Sequence, residues 1–221
     1  MFNLVLKDFL IQKKTFLIAF VYSVFFFIVF RGNVFKDFVY IMGSVAIGYI
    51  YIMYTVNLDE KNKSYLIINS LPVTRRQVVM SRYLFYIAVI FIGILIMSLV
   101  GMILKTVPGF SDLAYVKPQD FVTAFSMIGI LASFHTPLAY KFGINAKYFD
   151  MAMFFGLFFA PSLLADYIKR HSDMAAISYF INLIQSNPGL NIIGLLAIAF
   201  TLIIMAISLA ISIKIYENRD F

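Results

Sequence analysis

The chain has 221 residues, of which 62% are hydrophobic, 18% aromatic and only 13% charged. A soluble domain is about half apolar and about a quarter charged, so this composition excludes an ordinary soluble fold and predicts an all-α integral membrane protein. The net charge of +7 resides in short polar stretches beside apolar runs, which is a topology signal and not a nucleic-acid footprint; the lack of cysteine excludes disulfides and thiolate metal sites.

In chain order, residues 1–14 place Phe2, Val5, Leu6, Phe9 and Leu10 on one helical face, opposite Asn3, Lys7 and Gln12. That pattern predicts an interfacial elbow helix. It is not a cleavable signal peptide, because no basic start precedes a short apolar core and a small-residue cleavage site. Six apolar runs follow, at 15–30, 38–57, 84–104, 121–138, 148–164 and 190–215. A helix needs about 20 residues to cross a hydrocarbon core of about 30 Å; the short first run ends at Arg31, which snorkels. The runs are continuous and not alternating, which disfavours a transmembrane barrel.

Between spans two and three lies a polar island, residues 59–83. Asp59 and Glu60 are expected to favour the N-terminus of a short helix over 64–70, with Tyr65, Leu66 and Ile68 as its apolar contacts. Leu71-Pro72 ends that helix, because a residue before proline is pushed out of the helical region. Thr74 with Gln77 three residues later forms a capping box for a helix that runs into span three. Arg75 and Arg76 sit at this turn, at headgroup level. Further on, 106–120 reads as a loop from Pro108, Gly109, Asp112 and Pro118. The outer segment 166–189 holds an apolar stretch at 174–184, read either as a short surface helix or as one that dips into the membrane.

With the N-terminus inside, the inner segments hold Lys7, Lys13, Lys14, Lys61, Lys63, Arg75, Arg76, Arg82, Lys141, Lys147, Lys214 and Arg219. The outer ones hold Arg31, Lys36, Lys105, Lys117, Lys169 and Arg170. Both termini are therefore expected in the cytosol.

Little in the spans suggests chemistry. Their interiors lack acidic and basic residues, and Asp120, Asp150 and Asp166 near span ends read as solvated interfacial carboxylates. Ion-coupled pumps place such groups within the membrane, so a gradient-driven transporter is disfavoured. His135 reads as a packed histidine near the inner interface. No serine nucleophile arrangement, H-E-x-x-H metal motif or G-x-x-x-x-G-K-[ST] loop is present, and no internal repeat is evident. Ser44 with Gly48, and Ala206 with Ala210, offer small surfaces for helix approach. Phe25, Phe26, Tyr51 and Tyr54 make the first two spans aromatic, for lipid contact or, alternatively, along a path for an amphiphile.

Three motifs carry a resemblance. One is the order D-E-K-N-K, short helix, S-L-P-V-T-R-R, S-R-Y-L into span three. The second is P-L-A-Y-K-F-G at 137–143, and the third is L-V-L-K-D-F at the elbow. Together they resemble the permease subunits of bacterial ABC-2-type transporters, from end to end of the chain. The resemblance implies a single transmembrane domain in the bacterial plasma membrane, without nucleotide-binding motifs or cofactor of its own. It implies as partners two cytosolic ATP-binding subunits, which bind ATP and Mg, and a second permease, identical or related. Asp59, Glu60, Lys61, Asn62, Tyr65, Leu66, Asn69 and Ser70 then contact the ATPase as a coupling helix. Leu71, Pro72, Thr74, Arg75 and Arg76 form the coupling joint, Lys141 and Lys147 a second contact, and Lys13 and Lys14 also reach toward the ATPase. The implied activity is ATP-driven export of an amphiphilic peptide, lipid-like molecule or drug, as in exporters of phenol-soluble modulins or in antimicrobial resistance. The alternative is a sensor or anchor subunit that docks an ATPase and moves no cargo.

Overall fold

The computed structural model describes residues 2–30, 38–64, 68, 70, 72–110, 113, 115–146, 148–153, 155–156 and 192–219. Its elements are α1 (Phe2–Ile11), α2 (Lys13–Phe30), α3 (Val39–Lys61), α4 (Arg75–Lys105), α5 (Pro118–Phe142), a 3-10 turn over Gly143–Ala146, and α6 (Ile192–Glu217). Five of them, α2 to α6, are long and apolar enough to cross a membrane. The predicted fifth span lies mostly outside the described residues, although 148–153 are helical. The outer segment 166–189 lies wholly outside them.

Contact register fixes the directions of the helices. Asp59 meets Arg82 and Tyr40 meets Gly101, so α3 and α4 are antiparallel. Gly48 meets Ile128 while Val56 clusters with Ala139, so α3 and α5 run parallel. Val122 lies by Gly194, Gly129 by Thr201, and Tyr140 stacks near Tyr216, so α5 and α6 are parallel too.

Helix α3 is the centre, with Tyr49, Tyr51 and Ile52 fully buried. Lipid supplies no hydrophobic force between helices, so close packing holds them. Gly48 illustrates this: a Cβ there would sit 2.9 Å from Ile128 Cδ1 and 3.1 Å from its Cγ2. The Ser44 carbonyl faces Gly93 of α4 in the neighbouring seam, so the first small-residue pair packs helices as expected. Ala206 and Ala210 are exposed instead. The outer faces of α2 (Leu17, Val21, Phe25, Ile28) and α6 (Leu196, Phe200, Ile203, Ile207) are apolar and exposed, as lipid contact requires.

Two features differ from the sequence reading, the end of α3 and the buried face of α1. Helix α3 continues to Lys61, so Asp59 and Glu60 occupy its last turn and not the start of another helix. A carboxylate is disfavoured at that negative dipole end, and the cations described below compensate Asp59. Helix α4 starts at Arg75, directly after Thr74, where the capping box predicted it. Its 31 residues span about 46 Å at about 1.5 Å each, so about three turns extend beyond a hydrocarbon core of about 30 Å. Helix α1 turns Phe2, Leu6 and Leu10 outward, whereas Leu4, Asp8 and Gln12 are buried. Asp8 and Gln12 of the elbow therefore face protein, while Asn3 stays exposed.

Candidate functional site

The polar features converge at one end of the bundle, where α1, the end of α3, the start of α4 and the ends of α5 and α6 meet. The link between α3 and α4 is anchored there from both sides. Helix α3 stops where Lys63 takes a left-handed conformation with φ 49°, a conformation non-glycine residues rarely adopt. Of the predicted coupling helix, Ser64, Ile68 and Ser70 are helical, while Tyr65, Leu66, Asn69 and Leu71 lie outside the described residues. Ile68 is buried in an apolar cluster with Leu4 of α1, Val78, Val79 and Tyr83 of α4, Tyr140 of α5, and Met205 and Tyr216 of α6.

The joint that follows is built as its sequence required. Pro72 lies at an exposed bend. Thr74 is the N-cap of α4: its Oγ1 accepts from Gln77 N at 3.3 Å, and Gln77 Oε1 accepts from Thr74 N at 3.1 Å. The two arginines do more than mark the headgroup level. Arg75 Nη1 donates to the carbonyls of Tyr216, Glu217 and Arg219 at 3.2, 2.7 and 3.0 Å. These carbonyls belong to the frayed C-terminal end of α6, whose last turn has no intrahelical donors. Arg76 Nε pairs with Glu217 Oε1 at 2.8 Å. The joint is thereby tied to the final helix.

A second tie is ionic. Arg82, with its side chain 4% exposed, binds Asp59 Oδ2 and lies 3.4 Å from Asp8 Oδ1. Lys7 Nζ approaches Asp8 at 3.2 Å and Asp59 at 3.5 Å. Two cations and two carboxylates make a neutral cluster that joins α1, α3 and α4. Burial of such charges is tolerated when each is paired. Gln12 Nε2 adds a bond to Thr55 Oγ1, again between the elbow and α3.

A third tie follows from a proline. Pro137 lies inside α5 and has no N–H, so the carbonyl of Ser133 loses its helical donor. Ser208 of α6 supplies one, donating to Ser133 O at 2.5 Å. Since the Ser208 proton is used there, Tyr83 of α4 donates to Ser208 at 2.7 Å and accepts from Ser212 at 3.0 Å. The proline thus frees an acceptor that binds α4, α5 and α6 together.

Nearby, His135 Nδ1 and Asp150 Oδ1 lie 2.5 Å apart, both residues 1% exposed. Tyr49 of α3 donates to the Asp150 carbonyl at 3.2 Å and sets its ring edge-on to His135. His135 is packed, as its sequence context indicated. Asp150 is not the solvated interfacial carboxylate expected; burial against an imidazole accounts for it. Asp120 does lie at a helix end, accepting from Lys117 N at 2.8 Å.

The other expected residues separate. Asp59 points inward to Arg82 and Lys7, so its carboxylate is engaged within the bundle. Lys61 and Asn62 are exposed at the end of α3, and Lys13, Lys14 and Lys141 are exposed at the same end of the molecule. The Glu60 side chain and Lys147 lie outside the described residues. Phe26 and Tyr51 are buried in the core, Tyr51 against Phe16 with ring centroids 5.0 Å apart, whereas Phe25 and Tyr54 face outward. The four aromatics therefore do not line one surface. Among the described residues no group of three or more His, Cys, Asp or Glu side chains is placed to hold a metal.

Comparison with known families bears directly on this arrangement. The family model described as "ABC-2 family transporter protein" matches residues 3–217. The chain belongs to the ABC-2 transporter family. None of the curated proteins or solved structures compared with it matches. It is a multi-pass membrane permease subunit, and ABC-2 membrane subunits lack catalytic nucleotide-binding domains and work with separate ATP-binding subunits. The elbow residues Lys7 and Asp8, the described P-V-T-R-R part of the joint at 72–76 and the P-L-A-Y-K-F element, which carried the resemblance in sequence, are the parts that meet at this polar end.

Proposed function

We propose that this ABC-2 permease moves an amphiphilic cargo, a peptide, lipid-like molecule or drug, out of the cell, and that residues 59–83 on the cytosolic side receive the ATP-binding subunit. Two ATP-binding subunits and a second permease complete the transporter. Closure of the ATPase dimer pushes on the segment between α3 and α4, and the permeases repack as rigid bodies. The observation that carries this reading is the anchoring of that segment. Ile68, the Thr74 cap, Arg75 and Arg82 tie it to α1, α3, α4, α5 and α6 within one cluster, so a push there reaches every described helix but α2 directly. The exposed residues Lys61, Asn62, Lys63 and Pro72 face outward, where the partner would meet them. The apolar composition of the spans favours an amphiphile over a polar solute.

The test reverses charge only at exposed positions, with Lys61→Glu and Lys63→Glu in one chain. We expect the variant to reach the membrane in normal amount, to retain less ATP-binding subunit on purification and to lose ATP-driven export from reconstituted vesicles. Full assembly with full transport refutes the docking assignment.

A further inference from the structure

We propose that the groove between α4 and α6 binds one acyl chain of an anionic phospholipid, with Arg76 binding the phosphate. The groove has a volume of about 220 Å³ and is walled by Met80, Leu84 and Ile87 on one side and Leu202, Ala206 and Leu209 on the other. It is smaller than the roughly 300–1,000 Å³ pockets that enclose drug-sized ligands, which suits a single linear chain better than a folded molecule or a helix. The hydroxyl of Tyr83 at its floor is already engaged by Ser208 and Ser212, so the groove offers no polar group to a peptide backbone.

Its polar end supplies the headgroup chemistry. Arg76, Met80, Leu84 and Ile87 recur at three- and four-residue intervals and share one stripe of α4. Arg76 therefore stands one turn beyond the apolar wall, at the end where headgroups lie. Its side chain is 69% exposed and pairs with Glu217. An exposed pair of this kind contributes little, so a lipid phosphate, which forms a forked charge-assisted bond with a guanidinium, can take the place of Glu217. A zwitterionic headgroup carries its own cation beside the phosphate, which the Arg76 guanidinium repels, so Arg76 favours an anionic headgroup over a zwitterionic one.

The chain has no cysteine, so Ala206→Cys places a single fluorescent label in the groove of the full-length protein. The labelled protein is put into phosphatidylcholine vesicles doped with equal amounts of either phosphatidylglycerol or phosphatidylcholine carrying brominated chains, which quench on contact. We expect the quenching constant for the phosphatidylglycerol to exceed that for the phosphatidylcholine by about fivefold, the contribution of one basic residue near the surface. Arg76→Gln should abolish the preference and Glu217→Gln should increase it. A label at Ile207→Cys, on the outward face of α6, should be quenched equally by both lipids. Equal quenching at position 206 would mean ordinary annular lipid, and a preference that survives Arg76→Gln would remove the headgroup assignment. Absence of quenching by either lipid would mean that protein, a second copy or a peptide, covers the groove. Each of these overturns the proposal.

Discussion

Replacing Arg82 by Met leaves Asp8 and Asp59 facing each other in a site where the arginine side chain was 4% exposed. Removing one partner of a buried pair costs about 3–5 kcal/mol, because the remaining charge keeps its desolvation penalty. Lys7 stays 3.2 Å from Asp8 and 3.5 Å from Asp59 and offsets part of the loss, which puts the cost near the lower bound, about 3 kcal/mol. For a chain of this size each kcal/mol lowers Tm by about 2–4 °C, so Arg82→Met should melt about 6–12 °C below the parent. Asp59→Asn leaves Arg82 with Asp8 alone, 3.4 Å away, and should cost a similar amount. The double variant retains a neutral Lys7–Asp8 pair, so its cost should fall well short of the sum, with a coupling energy of about 2–3 kcal/mol. The chain has no tryptophan, so melting is best followed by the loss of monodisperse protein on size exclusion after heating in detergent. A shift under about 2 °C for Arg82→Met, or a double variant equal to the sum of the singles, would falsify the view that these four side chains act as one neutral unit.

Three further predictions follow from the same contacts. Gly48→Ala forces a Cβ against three atoms of Ile128, all within 3.3 Å; overpacking of this kind costs about 1–3 kcal/mol, and the melting temperature should fall accordingly, with recovery when Ile128 is trimmed to Val. Ser208→Ala should cost about 1–3 kcal/mol, because it strands the Ser133 carbonyl. In a Pro137→Ala background the same change should cost clearly less, since the helix then supplies its own N–H; equal cost in both backgrounds would contradict the proline account. Asp150→Leu removes the Nδ1 partner of a buried imidazole and should destabilise by about 1–3 kcal/mol, while Asp150→Asn keeps a hydrogen-bonding atom in place and should cost less, as read by melting of the two variants side by side.

The fold was legible wherever a local rule decides the outcome. Long apolar runs gave five helices at the expected places, and the Thr74–Gln77 cap formed as the spacing required. The end of α3 was read short because hydropathy fades before the helix does: α3 carries Asp59, Glu60 and Lys61 in a helical turn that no apolar window would include. The polar site was legible as motifs but not as contacts. Asp8, Asp59 and Arg82 were all visible as charges near the inner ends of predicted spans. Their pairing depends on the elbow folding Asp8 inward, whereas amphipathicity alone assigns its polar residues to water. The role of Pro137 was hidden in the same way, since a proline announces a freed carbonyl four residues earlier but not which helix will satisfy it. Asp150 looked interfacial because position along the chain measures depth only roughly, and His135, fifteen residues away, showed no local pattern to connect them.

The two ends of this bundle are held by different kinds of force, and that difference bears on how a permease of this family can move. At the polar end the contacts are directional: Arg75 on the α6 carbonyls, Arg82 between two carboxylates, Tyr83 through Ser208 to Ser133. Such bonds have narrow geometry, and breaking a buried one, at Arg82 or Ser208, strands a group at a cost of about 1–3 kcal/mol or more. They favour motion of α1 and the adjoining helix ends as a block. Toward the far end the contacts are apolar, with Phe27 edge-on to Tyr40 and Met97 against Gly43. Dispersion contacts are individually small, each about 0.1–0.2 kcal/mol per atom pair, and one set can be exchanged for another when helices shift. On the proposed function, a displacement delivered to residues 59–83 would be carried through the stiff end and taken up as repacking at the opposite one, where that proposal puts the outward opening.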